Sequence, residues 1–130
     1  MTPPLEEARR LLALASADRD AFLWMIQGQG LRPAASFFFA QQGIEKALKA
    51  VMMLKGLMPG RTHNLLSLAA ELNANAIPTP VSPDDLARLN PYAVTFRYDD
   101  ADLSLLTSQD AKRMLDDTLN WVAQLLASEI

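Results

Sequence analysis

Apolar residues recur along this chain at three- and four-residue steps, the period of helices that turn one face inward. Leu5, Ala8, Leu11, Leu12, Ala15, Phe22, Met25 and Ile26 share one stripe and predict a first helix over residues 5–27, led in by Thr2, Pro3 and Pro4. Gly28 and Gly30 stop it. Pro33 can open a second helix over 33–54, because the first helical position needs no N–H. Its inner stripe is Phe37, Ala40, Ile44, Ala47, Leu48, Val51 and Leu54, with Gln41, Gln42, Glu45, Lys46 and Lys49 over the remaining surface. Gly56, Pro59 and Gly60 end it. Each helix would be about 30 to 35 Å long, and the short turn between them implies an antiparallel pair.

Leu65, Leu68, Ala69 and Leu72 predict a shorter third helix over 63–73, with Thr62 as its N-cap. The stretch 73–83 contains three prolines and reads as a loop, after which Ser82 and Asp84 open a short helix to Leu89, closed by Pro91. Residues 92–107 show neither helical nor strand period and are expected to form an ordered loop. Ser108 leads into a last helix over 109–128, striped by Ala111, Leu115, Thr118, Leu119, Val122, Leu125 and Leu126. No segment alternates as a half-buried strand must. The expected fold is all-α, a single-domain up-and-down four-helix bundle over 1–130 with one short additional helix, since each stripe must be covered by neighbours.

Composition sharpens this picture. Half of the 130 residues are hydrophobic but only 7% are aromatic, so the core must be built from Leu, Ala, Met, Ile and Val. The absence of cysteine removes disulfides and thiolate metal sites, and no metal or cofactor is expected. Glu6, Glu7, Arg9 and Arg10 stand where a secretory leader would be apolar, and no apolar run approaches the roughly 18 residues of a membrane span; a cytoplasmic location is expected. The net charge of -3 argues against a broad nucleic-acid-binding face. Charge is uneven, however: residues 41–63 carry Lys46, Lys49, Lys55 and Arg61 against Glu45, whereas residues 84–117 carry eight Asp against Arg88, Arg97, Lys112 and Arg113. A local anion site is compatible with the first segment.

The run from Phe39 through Gln41, Gln42, Glu45, Lys46, Leu48 and Lys49 to Val51, then Arg61-Thr62-His63-Asn64-Leu65, then Tyr92 and Arg97-Tyr98, resembles the HEPN family in identity, order and spacing. The resemblance implies an up-and-down helical bundle, commonly a homodimer, encoded in many prokaryotes beside a small nucleotidyltransferase as a toxin–antitoxin-like pair. Some family members are metal-independent ribonucleases whose Arg and His, separated by four to six residues, meet at the dimer interface. That pattern is missing here. The single histidine is His63, and the positions an Arg would need are Gly56, Leu57 and Met58. Arg61 lies only two positions before His63, so a ribonuclease would need an atypical Arg61/His63 site. The expectation is a nucleotide-binding or partner-binding module, with the atypical endoribonuclease as the alternative.

Seven residues are candidate ligand contacts: Gln42, Lys46, Lys49, Arg61, His63, Arg97 and Tyr98. Gln42, Lys46 and Lys49 would line one strip of the second helix, where Lys suits phosphate without base selectivity; the competing reading of Lys49 is an intrahelical pair with Glu45. His63 and Arg61 would meet an anion at the start of the third helix, or His63 would simply anchor that helix. Arg97 would join Arg61, or bridge loop carbonyls or a carboxylate. Asp99, Asp100 and Asp102 beside it read as a solvated acidic loop rather than a cation site. Phe37, Phe38 and Phe39 cannot all face one core; with Trp24, Met25, Met52 and Met53 they suggest a surplus apolar face for a second subunit.

Overall fold

The computed structural model describes residues 2–28, 33–95 and 106–129. Six helices follow one another: α1 (Pro3–Gln27), α2 (Pro33–Leu54), α3 (Leu65–Ala74), α4 (Pro83–Leu89), α5 (Tyr92–Thr95) and α6 (Ser108–Ala127). The described residues form no strand, and the fold is all-α as the periodicity requires. Local chemistry sets the ends. Thr2 caps α1 by accepting from the Leu5 amide, Ser82 caps α4 through the Asp85 amide, and Thr107 caps α6 through the Asp110 amide. Pro3 and Pro83 sit in the first turns of α1 and α4, where a missing N–H costs nothing.

The organising element is α2, which packs against all five other helices. A helix so enclosed cannot keep one polar side. Phe37, Ala40, Ile44, Ala47, Leu48, Ala50, Val51 and Met52 are all buried, as are the polar Ser36, Gln41 and Glu45. α1 and α6 cover one side of it and α3 to α5 another, so Phe22, Leu65, Leu68, Leu72, Leu86, Leu89, Met114 and Leu115 close a continuous core.

Three expectations need correction. The third helix begins at Leu65, with Asn64 and not Thr62 as its N-cap, because the Asn64 side chain reaches both the Leu66 and Ser67 amides. The Thr62 hydroxyl instead accepts from the Asn64 amide and shapes the turn before the cap. Residues 92–107 do not begin as loop: α5 forms one helical turn there, and Tyr92 packs edge-on to Phe37 with ring centroids 5.1 Å apart. Of the apolar residues assigned to a surplus face, Phe37 and Met52 are buried in the core, while Trp24 stands out at 73% exposure. Phe37 alone of the three phenylalanines is fully buried, as their 100° angular spacing demands.

Gly43 lies where α2 closely approaches α1 and α6. A Cβ there would stand 2.8 Å from Leu115 Cδ1, 3.4 Å from the Ala15 carbonyl oxygen and 3.5 Å from Asp18 Cβ. Two effects then compete on substitution. Helix propensity favours Ala over Gly by about 1 kcal/mol, whereas overpacking a filled core typically costs about 1 to 3 kcal/mol. Gly43→Ala should therefore range from neutral to about 2 kcal/mol less stable than the parent in urea unfolding. Gly43→Leu, which must displace backbone as well as the Leu115 methyl, should lose about 2 kcal/mol or more.

Candidate functional site

Phe37, Gln41, Ile44, Glu45 and Leu48 follow one another at helical spacing, so the fold that buries the apolar members carries Gln41 and Glu45 inward with them. A buried carboxylate must be compensated. Glu45 receives Lys49 Nζ at 3.1 Å and Gln41 Nε2 at 3.3 Å from its own helix. Across the gap to the loop after α2, His63 Nδ1 lies 3.2 and 3.1 Å from its two oxygens. Gln41 adds a second tie by donating to the His63 carbonyl at 3.0 Å, and Gln42 in turn donates to Gln41 Oε1 at 2.7 Å. The imidazole is thus gripped on its inner nitrogen while the side chain stays 64% exposed. An ionised carboxylate only accepts, so Nδ1 carries the proton and Nε2 faces outward.

The start of α3 just beyond His63 is closed. Asn64 Oδ1 takes the Leu66 and Ser67 amides, and Asn90 Oδ1 takes the Leu65 amide at 2.8 Å while its Nδ2 donates to Asn64 Oδ1. The first three N–H groups of α3 are therefore satisfied within the chain, and a ligand near His63 must be held by side chains. Arg61, exposed in the same loop, has no ion-pair partner among the described residues.

The candidate residues thus divide. His63 and Lys49 converge on Glu45, with Gln42 beside them through Gln41. Lys46 goes elsewhere, to Asp18 of α1 at 2.6 Å. Lys49 forms the i,i+4 pair with Glu45, half inside the fold rather than on a solvated face. Arg97 and Tyr98, with the neighbouring acids Asp99, Asp100 and Asp102, lie outside the described residues. Gln41, Glu45, Asn64 and Asn90 are the structural members that sequence reasoning missed. The available signal for the first two was a polar residue interrupting an apolar stripe. Asn90 comes from 25 residues beyond the amide it caps, and no local pattern marks it.

Much of the surface charge on α4 and α6 is mutually engaged. Arg88 bridges Asp85 and Asp110, Arg113 reaches Asp85, and Asp116 takes both Arg19 and Lys112, which stitches α1 and α4 to α6. Burial raises the Asp116 carboxyl, but hydrogen bonds from Arg19 and Lys112 outweigh it and hold this group below its ordinary value. Among the described residues no group of His, Asp and Glu could hold a metal ion, and no helix is long and apolar enough to cross a membrane.

A helical bundle whose central helix carries a buried Gln and Glu toward a histidine in the following loop is thus the class that fold and site define. A family model described as HEPN domain matches residues 5–124, and the chain belongs to that family. The crystal structure of ST0689, an archaeal HEPN homologue, superposes with a TM-score of 0.61 at 21% identity, over 92% of this chain and 98% of the other. At that identity the likeness is one of fold. None of the curated proteins matches.

Removing the hub tests this geometry. Glu45→Ala strands Lys49 and frees His63, and breaking a buried, hydrogen-bonded pair should cost about 2 to 4 kcal/mol, less than for a wholly enclosed pair because Lys49 is partly wetted. Thermal and urea unfolding should agree on that loss, and a change under about 0.5 kcal/mol, the level of an ordinary surface substitution, would contradict it.

Proposed function

We propose that this chain is a binding module of the HEPN type that takes an anionic ligand, a nucleotide phosphate chain, at the His63 loop. It would work as a homodimer with a partner protein, a small nucleotidyltransferase in a toxin–antitoxin-like pair. The observation that supports the ligand is the oriented imidazole: a buried carboxylate holds His63 with its outer nitrogen toward solvent, two residues from Arg61, which has no ion-pair partner among the described residues. Lys49 already neutralises Glu45, so Arg61 leaves the loop locally positive. The partner reading rests on family membership together with the absence of a spaced Arg before His63. Cytoplasmic action fits a chain without cysteine.

Support for a second copy comes from α1. Its outer side carries Leu14 at 40% and Trp24 at 73% exposure, with Ala17 and Ala21 between them at helical spacing. Light scattering at high protein concentration should give twice the chain mass, and Trp24→Asp should shift the protein toward the monomer. A parent protein that stays monomeric would remove the dimer.

Titration calorimetry with ATP should yield saturable heat that weakens by roughly tenfold or more in Arg61→Ala and in His63→Ala, the loss expected for one charged hydrogen bond. No heat and no thermal stabilisation with any of several nucleotides would reject the reading. The alternative, a metal-independent endoribonuclease, is favoured only by the carboxylate-held imidazole, a geometry that also serves proton transfer. It requires RNA cleavage by the parent protein that collapses in His63→Ala.

A further inference from the structure

The polar groups around His63 dictate how a ligand would be held there. Glu45 is buried and its charge is already answered by Lys49 at 3.1 Å, so the pair is neutral as a unit. His63 Nδ1 donates into that neutral pair. The ring can accept a second proton only at Nε2, on the side that faces solvent, where no described residue meets it. Doing so makes the cluster of Glu45, Lys49 and His63 net positive, with the new N–H pointing outward and Arg61 as the other charge in the same loop. From α2, the titratable groups facing the ring are Glu45 and Lys49, while Lys46 is engaged by Asp18. α3 contributes none, since Asn64 caps its first turn. The capped amides offer an anion nothing.

We propose that Glu45 is a positioning residue which makes phosphate-chain binding at His63 proton-linked: the anion is taken by the doubly protonated ring, and a proton enters with it. This linkage rests on the anion-binding reading above. A neutral imidazole gripped at Nδ1 presents only a lone pair at Nε2, which repels a phosphate oxygen; the imidazolium presents a donor. Glu45 fixes the direction of the ring from behind. The ligand class is any chain of phosphates, with or without a nucleoside attached.

The experiment is calorimetric titration of the whole protein with ATP and, separately, with inorganic tripolyphosphate, each in two buffers of different ionisation enthalpy. Proton linkage predicts observed heats that differ between buffers by more than the ligand phosphates' own protonation accounts for, and an affinity that falls as the pH rises. Binding by both ligands assigns recognition to the phosphates, whereas binding by ATP alone overturns the ligand class. In Glu45→Gln, with folding checked by circular dichroism, affinity should drop by roughly tenfold and the pH dependence should flatten. The parent-protein measurement stands even if that variant fails to fold. Binding with identical heats in both buffers and no pH dependence would overturn the inference while leaving anion binding intact. No binding of either ligand would overturn the reading beneath it as well.

Discussion

One carboxylate placed inside the fold governs how the candidate site is built. Glu45 sits on the most enclosed helix at 4% exposure, where an uncompensated charge would cost several kcal/mol. Its compensation is drawn from three directions: Lys49 one turn on, Gln41 one turn back, and His63 from a loop 18 residues away. The first two could be supplied by any isolated helix. The third cannot, and it ties the segment leaving α2 back onto α2 and sets where α3 begins. Asn64 and Asn90 then complete that start, so the hydrogen bonds around the buried charge and those of the helix cap meet at the backbone between His63 and Asn64.

The enclosure of α2 explains why the fold was largely legible and the site only partly so. Long helices announce themselves through the spacing of residues such as Leu65, Leu68 and Leu72 or Ala111, Leu115 and Val122, because burying one face contributes most of their stability. The bounds of α2, Pro33–Leu54, coincide with the expected ones since proline and glycine punctuate both ends. The one-turn α5 left no period to read, being too short to show one. It is held by tertiary contact, including Tyr92 against Phe37, rather than by its own propensity.

The same physics misleads for polar residues. Gln41, Glu45, Lys46 and Lys49 look alike along the chain, as a solvated helix face, yet the first two lie on the stripe of Phe37, Ile44 and Leu48 and go inward. Lys46 and Lys49, three residues apart, part company toward Asp18 and Glu45. Thr62 and Asn64 are both residue types that cap helices, Asn the stronger of the two. The choice between them falls to Asn90, whose side chain holds both the Leu65 amide and Asn64 from across the fold. Apolar spacing thus determines where helices run, while long-range hydrogen bonds decide which polar residues form a site.

The site as built requires His63 to be locked with its Nδ1 proton directed at Glu45. Long-range nitrogen–proton correlation NMR of the imidazole reads the tautomer directly. A carboxylate-held ring predicts, at pH values where the imidazole is neutral, a protonated Nδ1 and a bare Nε2. A ring protonated at Nε2, or one averaging freely between tautomers as a solvated histidine does, would contradict it.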